Sequence, residues 1–235
     1  RLRKRTRLAP DILEFVFRPA QRLAFEPGQY MEFTLGHSQT DSRGNRRYFT
    51  LASSPTEEQM RLGVRFYQQG SSFKRALARL DGRTDLLAGQ VAGDFTLPRD
   101  ADRKLAFIAG GIGVTPFRSM LKYLIDMRQG RDIVMLYANR APQHIVYQDV
   151  LADAQKRLGA RVIYTLTDPA MVPQGWQGAQ GRIDEQMITA NIPDYRDRTF
   201  YLSGPPEMVH ATEAALSHLG VHRSQIKRDY FPGLA

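Results

Sequence analysis

The sequence contains no cysteine among its 235 residues. The chain therefore cannot form a disulfide bond, ligate an iron–sulfur cluster or a zinc ion through cysteine, or use a thiol nucleophile. A whole class of protein-bound redox centres is excluded from these residues.

Closely spaced histidines and long apolar runs are also missing. The five histidines are scattered, and His218 and His222 straddle Gly220, which is a poor helix position, so no metal site is predicted. No apolar run approaches the roughly 18 to 20 residues that a membrane helix needs, and no signal-peptide pattern is present. We therefore expect a soluble, cytoplasmic chain.

Acidic residues are outnumbered by basic ones, 24 against 33, which gives a formal net charge of +9. This balance favours polyanionic partners without choosing among phosphate cofactors, nucleic acid and anionic lipid. No nucleic-acid-binding motif accompanies the charge, which is spread along the chain, so a nucleic-acid partner is not predicted.

The chain begins with Arg1, and five of its first seven residues are basic. A start without methionine predicts a fragment of a longer protein. A basic start is also found next to membrane-embedded segments, which leaves open such a segment upstream, while a solvated strand edge is the simpler interpretation.

The first hundred residues have the pattern of an antiparallel β-barrel. Short runs rich in aromatic and β-branched residues predict strands at 12–17, 30–35, 48–51 and 61–66, separated by turn residues. One helix is predicted at 72–80. We expect a β-barrel domain over residues 1–100.

After residue 100, predicted strands and helices alternate. The strands are expected at 104–109, 133–137, 161–166 and 199–202, and the helices at 116–127, 145–158 and 206–219. Strands that alternate with helices of this length predict βαβ units and a parallel sheet. We expect an α/β domain with a parallel sheet over residues 101–235.

Two glycine turns follow strands of this α/β half. Gly110-Gly111-Ile112-Gly113 precedes a helix that begins near Pro116, and Ser203-Gly204-Pro205 precedes the last helix. Such turns let backbone N–H groups approach a phosphate, although the first turn lacks the third glycine of the dinucleotide motif. Both turns are expected at the carboxyl edge of the sheet, where α/β folds bind ligands.

A second anion site is predicted in the barrel half. Arg46 and Arg47 stand beside an aromatic pair on a predicted strand, and Gly70, Ser71 and Ser72 open the only helix of that half. A pair of cations beside a helix start suits a phosphate group.

Taken in order, these motifs resemble the ferredoxin-NADP reductase superfamily of flavoprotein reductases over nearly the whole chain. Arg47-Tyr48-Phe49-Thr50 is similar to its Arg-x-Tyr-Ser/Thr flavin motif, and residues 70–77 to its flavin-phosphate helix start. Residues 93–98 resemble its last barrel strand, and residues 110–116 its nicotinamide-nucleotide loop. Residues 203–206 stand where the family has Cys-Gly-Pro-Pro, and residues 229–233 where it has an acidic residue, an aromatic residue and glycine.

The resemblance implies a flavin, FAD in preference to FMN, on the barrel and NADH or NADPH on the α/β half. In the barrel half it implies these cofactor-binding residues: Arg47, Tyr48, Phe49, Thr50, Leu51, Ser53, Arg65, Gly70, Ser71, Ser72 and Phe73. In the α/β half it implies Gly110, Gly111, Gly113, Thr115, Pro116, Asn139, Arg140, Ser203, Gly204 and Pro205. The implied catalytic residues are Thr50, Ser203, Asp229 and Phe231.

Three residues depart from the family pattern. Phe49 replaces the usual tyrosine, so a stacking surface remains but its hydroxyl is lost. Ser203 replaces the cysteine, and Asp229 replaces a longer carboxylate. The resemblance therefore predicts hydride transfer from NAD(P)H to the flavin, with Ser203 as the position most able to change its rate.

The expected activity is that of a flavoprotein oxidoreductase that passes single electrons to an acceptor on another domain or protein. Two other classes stay open: a flavin-binding sensor or structural domain with little turnover, and a basic nucleic-acid-binding module. The choice of coenzyme rests on two opposed residues, because Arg140 could bind a 2′-phosphate and Asp168 would repel one. We expect a preference for NADH.

Overall fold

The structure, a computed structural model, describes residues 1–229. The predicted roles of Tyr230 and Phe231 therefore lie outside the described residues.

The first half of the chain contains two three-stranded antiparallel sheets and one helix, α1 (Ser72–Ala78). The strands are β1 (Leu2–Ala9), β2 (Ile12–Phe17), β3 (Tyr30–Thr34), β4 (Arg46–Thr50), β5 (Met60–Arg65) and β6 (Leu87–Ala92). Their orders in the two sheets are β1-β2-β5 and β4-β3-β6. Alternating apolar residues of both sheets, such as Phe15 and Phe33, enclose one core together with Phe73 and Leu77 of α1. The predicted antiparallel β architecture with one helix is confirmed.

The predicted parallel sheet with flanking helices is confirmed in the second half. Its strands are β7 (Leu105–Gly110), β8 (Ile133–Asn139), β9 (Arg161–Leu166), β10 (Ala179–Gln180), β11 (Thr199–Ser203) and β12 (Ile226–Asp229), in the order β10-β9-β8-β7-β11-β12. Its helices are α2 (Thr115–Asp126), α3 (Gln148–Leu158), α4 (Glu185–Asn191) and α5 (Pro206–His218). The sheet has six strands and includes β10 and β12 besides the four predicted.

Successive residues of each buried strand contribute to opposite cores, as the period of two requires. Phe107 of β7 packs in the core that contains Phe117 of α2, whereas Ile108 packs in the core that contains Val209 of α5.

Because the paired strands all run parallel, their carboxyl ends lie at one edge of the sheet. This edge carries Gly110, Asn139, Ser203 and Asp229.

The basic start of the chain is β1, an edge strand whose Arg3, Lys4 and Arg5 are exposed and whose register pairs Arg5 with Phe15, in agreement with the interpretation as a solvated strand edge. The structure also adds strands that were not predicted. β6 is almost wholly exposed and β12 reads Ile-Lys-Arg-Asp, so neither shows the apolar pattern that predicts a strand.

Helix α3 begins three residues later than predicted. Residues 142–144 form a short 3₁₀ turn, and Tyr147, directly before α3, has a left-handed backbone with φ of 58°. A left-handed residue cannot continue an α-helix, so the helix starts only at Gln148. Over the described part of the chain, the helices are all too short to traverse a lipid bilayer.

Candidate functional site

A cleft lies between the carboxyl edge of the parallel sheet and the strands β4 and β5 of the first half. It is lined by Tyr48, Phe49, Thr50, Gly63, Arg65, Tyr67, Gly110, Ile112, Gly113, Thr115, Ser203, Gly204, Pro205, Pro206, Glu207 and Asp229. The cleft therefore brings predicted residues of the flavin motif together with residues of both predicted glycine turns.

Two hydroxyl side chains converge on one carboxylate oxygen of Asp229 in this cleft. Ser203 Oγ donates a hydrogen bond to Asp229 Oδ2 over 3.0 Å, and Thr50 Oγ1 approaches the same atom at 3.5 Å. Ser203 and Asp229 are register partners on β11 and β12, whereas Thr50 ends β4. Residues of the two halves thus meet at Asp229.

Burial raises the pKa of Asp229 to about 7, although the hydrogen bonds from Ser203 and Thr50 act in the opposite direction. This carboxyl group can therefore hold or release a proton near neutral pH. A titratable group between two hydroxyls in a cleft is typical of a functional site.

The first glycine turn packs directly against the second. A Cβ atom on Gly113 would lie 2.4 Å from the carbonyl oxygen of Ser203, and Gly111 has a positive φ of 52°. Both positions therefore need glycine, one for the close approach of two backbones and one for its conformation. The turn leads directly into α2, whose first N–H groups face this edge of the sheet.

A second cleft continues along the sheet edge from Gly110 and Gly111. Its other lining residues are Arg65, Ala138, Asn139, Arg140, Thr167, Arg182, Ile183, Pro205, Glu207, Met208 and Ala211. Asn139 is only 3% exposed, and neither polar atom of its side chain has a hydrogen-bond partner among the described residues. A buried amide without partners fits a site completed by a polar ligand. Because Arg140 and Arg182 add positive charge, the cleft suits an anionic nucleotide.

In the barrel half, the predicted phosphate ligands surround a carboxylate of the chain itself. Asp41 Oδ2 accepts a hydrogen bond from the backbone N–H of Ser72 over 2.6 Å, and Asp41 Oδ1 lies 3.4 Å from Nη2 of Arg47. The Ser72 N–H holds the pKa of Asp41 at about 2, so the group is an anion at neutral pH. The place where α1 begins therefore accepts an anion, and a phosphate would share or replace the contacts of Asp41.

Further cations gather around this place. Lys74 Nζ donates to the carbonyl oxygen of Arg65 over 2.9 Å. Burial, with the nearby charges of Arg43, Arg47 and Arg65, lowers the pKa of Lys74 to about 8. The positive potential exceeds what Asp41 neutralises, which fits the pyrophosphate of a flavin dinucleotide. Neither Lys74 nor Asp41 was among the predicted ligands: Lys74 lies within the predicted helix start at residues 70–77 but was not singled out, and Asp41 belongs to no binding motif.

Aromatic side chains form the wall of the cleft on the barrel side. Phe49 is half-buried and lies 5.9 Å from Phe73 and 6.0 Å from Phe33 between ring centroids. Tyr48 and Tyr67 are each 54% exposed. Flat, partly exposed aromatic surface of this kind suits the stacking of a ring system.

Some predicted residues contribute no side chain to either cleft. Leu51, Ser53, Phe73 and Pro116 are buried, and Ser53 Oγ accepts the backbone N–H of Arg61. Gly70 and Ser71 lie at the start of α1, where Ser71 caps the helix by accepting the N–H of Lys74. Residues that the sequence analysis missed are Tyr67, Thr167, Arg182 and Glu207, which carry no motif and come to the clefts through the fold.

Comparison with known proteins agrees with this geometry. Residues 107–214 match the family described as the oxidoreductase NAD-binding domain. The chain is 28% identical to NADH-cytochrome b5 reductase 1 of Ajellomyces capsulatus, over 95% of this chain and 74% of that protein. It spans only 57 to 64% of the other curated relatives compared.

Solved structures share the fold over almost the whole chain. The FAD/NAD-binding domain of nitric oxide dioxygenase from Vibrio cholerae superposes with a TM-score of 0.84 at 20% identity, covering 98% of this chain and 96% of that one. The flavohemoglobin of Malassezia yamatoensis, solved with bound FAD and heme, has a TM-score of 0.78 at 26% identity and covers 98% and 59%.

The fold, the two clefts and the orphaned amide of Asn139 fit a flavin dinucleotide beside a nicotinamide nucleotide. The matches to an NAD-binding domain, to a reductase and to FAD-containing structures agree with that fit. Residues 107–214 match an oxidoreductase NAD-binding domain, and the chain as a whole is similar in fold and sequence to the ferredoxin-NADP reductase-like superfamily of FAD- and NAD(P)-binding oxidoreductases.

Proposed function

We propose that this chain is the reductase unit of an electron-transfer system, supplied by NADH and serving an acceptor on another domain or protein. When bound, the nicotinamide would supply a hydride, and the flavin would accept it and release electrons singly. The observation that carries the proposal is the meeting of Thr50, Ser203 and Asp229 in one cleft, because it joins the flavin strand to the nucleotide turn.

The residues of the chain supply binding and orientation. Arg47, Lys74 and the start of α1 would hold the flavin phosphates, and Phe49 would face the ring system. Thr115 and Ser203 would contact the nicotinamide ring, and Asp229 would orient the hydroxyls of Thr50 and Ser203 by accepting their hydrogen bonds. Holding two reacting rings in one orientation is a large part of such catalysis.

The acceptor is proposed to lie outside this sequence. With no cysteine, and no cluster of metal-ligating residues within 1–229, these residues offer no second electron carrier. A relative named flavohemoprotein extends well beyond the matched region, and the Malassezia structure contains heme as well as FAD. These relatives support an acceptor on an adjoining domain or separate protein.

Replacement of the family's cysteine by Ser203 supports a second candidate, a flavin-binding domain with little turnover. Anaerobic mixing of the FAD-loaded protein with NADH, followed by visible absorbance, separates the two. Bleaching of the yellow colour, and its return on adding ferricyanide, would support the reductase. A yellow protein that stays oxidised would support the sensor, and failure to bind FAD would contradict both.

A further inference from the structure

Arg118 extends from helix α2 into the barrel half. Its guanidinium is buried, with the residue only 5% exposed. It forms a two-pronged contact with Glu57, in which Nη2 lies 3.0 Å from Oε1 and Nη1 donates to Oε2. Nη1 also donates to the carbonyl oxygen of Ala52 over 2.9 Å. One side chain of the α/β half thus binds the barrel half at two points.

The next residue of α2 makes a parallel contact. Ser119 Oγ donates to the carbonyl oxygen of Ser53 over 2.6 Å, so consecutive residues of α2 bind consecutive carbonyls of the barrel half. These carbonyls follow Thr50 by two and three residues, and Arg118 follows Thr115 by three. These carbonyl contacts therefore lie within four residues of Thr50 and of Thr115, which line the cleft from the two halves.

Glu57 is held in place from several sides. Its Oε2 accepts the backbone N–H of Ser54 over 2.8 Å, and its Oε1 lies 3.2 Å from Nε of Arg61. Arg61 in turn pairs with the buried Glu14 at 2.9 Å. Although burial alone would raise the pKa of Glu57, the hydrogen bonds and charge of Arg118 outweigh it and lower the pKa. Glu57 is therefore an anion fixed in one geometry.

Buried ion pairs of this kind contribute little net stability compared with apolar packing, but their directional contacts restrict geometry. The halves are joined covalently by one passage of the chain, residues 93–104, between β6 and β7. Domains joined in this way move relative to one another unless their contacts prevent it. An apolar core shared by the two halves, in which Ala52 and Phe95 pack with Phe117, limits large movements, and the Arg118–Glu57 contact adds a directional restraint next to the cleft.

We propose that Arg118 is a positioning residue that sets the separation between the flavin wall at Thr50 and the nicotinamide wall at Thr115 and Ser203. The inference rests on the proposed function, because the separation matters only if a reaction crosses the cleft. Arg118 does not line either cleft, so it acts through the placement of other residues.

The primary test is Arg118→Ala, which leaves Glu57 paired with Arg61 and so creates no isolated buried carboxylate. A small misplacement of reacting groups is enough to slow flavin reduction at saturating NADH by about 10- to 100-fold. Flavin content and the dissociation constant for NADH should stay within about threefold, because the binding residues are untouched. Arg118→Lys keeps the positive charge but cannot make the two-pronged contact with Glu57, so it should recover part of the rate of flavin reduction. The matched control is Arg157→Ala on the exposed face of α3, with an unchanged rate.

A readout independent of activity is available because the chain has no cysteine. Thr84→Cys and Gln155→Cys place one label on an exposed position of each half. Double electron–electron resonance measures the distance between spin labels attached to the two cysteines. This distance should have one narrow distribution when Arg118 is present and a broader one in Arg118→Ala. If Arg118→Ala does not fold, Ser119→Ala replaces it and should give a smaller change in the same direction.

An unaltered distance distribution together with an unaltered reduction rate would overturn the inference. If the parent protein binds FAD but is not reduced by NADH, the proposed function fails. The distance measurement then still decides whether Arg118 restrains the two halves.

Discussion

Nε of Arg140 lies 3.1 Å from Oδ2 of Asp168, just beyond the carboxyl ends of β8 and β9. The cation that could bind a 2′-phosphate is therefore paired with the carboxylate that would repel one. The two opposed signals for coenzyme choice are in direct contact, and an incoming phosphate would have to separate them.

Asp168→Asn should shift coenzyme preference toward NADPH, because it frees Arg140 and removes the nearby negative charge. We expect kcat/KM for NADPH to rise by about tenfold or more, which corresponds to about 1.4 kcal/mol, while kcat/KM for NADH changes little. Steady-state kinetics with both coenzymes provide the measurement, and Asp153→Asn on the exposed face of α3 is the control. A parent protein that already prefers NADPH strongly would show that Arg140 outweighs Asp168.

Arg47→Ala should lose flavin. Its guanidinium belongs to the cationic cluster at the start of α1, and a charge-assisted contact with a phosphate contributes about 1.5 to 3 kcal/mol, or about tenfold to over a hundredfold in affinity. Bound flavin is measured by absorbance after purification. Arg46→Ala is the control, because the structure separates the predicted pair of cations: Arg46 is exposed, and its Nη1 lies 3.7 Å from Oε2 of Glu32, whereas Arg47 contacts Asp41. Equal flavin occupancy in both variants would contradict the assignment of Arg47.

Asp41→Asn should have the opposite effect and bind flavin more tightly. It removes the negative charge from the N–H of Ser72 and from Arg47, while the amide oxygen can still accept the Ser72 hydrogen bond. Removing one charge repulsion of this kind should tighten binding by about tenfold at low salt, and the gain should shrink as salt is added. Titration of the apoprotein with FAD measures the affinity, and Asp81→Asn, in a separate exposed turn, is the control. Weaker binding would mean that Asp41 supports the site and does not compete for it.

The stability of the protein should fall as pH rises through the titration of Asp229. Its pKa is raised in the folded state from 3.8 to about 7, so between these values the folded protein binds the proton that the unfolded chain releases. The contribution of the protonated Asp229 to the free energy of unfolding is fully present below about pH 4 and is lost above about pH 7. The side chain at position 229 in the variant Asp229→Asn cannot ionise. The melting temperature of this variant should therefore rise relative to that of the parent protein as the pH increases from about 5 to about 8, by about 2 to 4 °C for each kcal/mol of stability that the parent protein loses. A constant difference over that range would show that Asp229 does not titrate there.

Ser203→Cys and truncation of Phe231 should alter hydride transfer without loss of flavin. Ser203 lies on the α/β half, in contact with Asp229, and the family resemblance assigns Phe231, which is outside the described residues, to the same nicotinamide subsite. Stopped-flow reduction by NADH should show a changed rate constant or NADH affinity in each variant. Reduction at the parental rate with parental affinity in both would remove these residues from the subsite.

Several parts of the fold and the site were predictable because their signals are local. The strands β7, β8, β9 and β11 are continuous apolar runs, and the glycine turns follow two of them directly. Elements without such signals were missed: β6 is solvated along most of its length, and β12 reads Ile-Lys-Arg-Asp. Their strand conformation depends on pairing with β3 and β11, from which other elements separate them along the chain.

The sequence by itself determined the two architectures, the glycine turns and the residue types at each cofactor motif, because spacing along one element decides these. Only the tertiary structure decided which charges meet. Asp41 accepts a hydrogen bond from the backbone N–H of Ser72, and Asp168 and Glu57 pair with the guanidinium groups of Arg140 and Arg118. The partners are 31, 28 and 61 residues apart in the sequence. The sequence does not show whether a charged residue is surrounded by water or paired with a buried partner, because only tertiary packing brings such distant groups into contact.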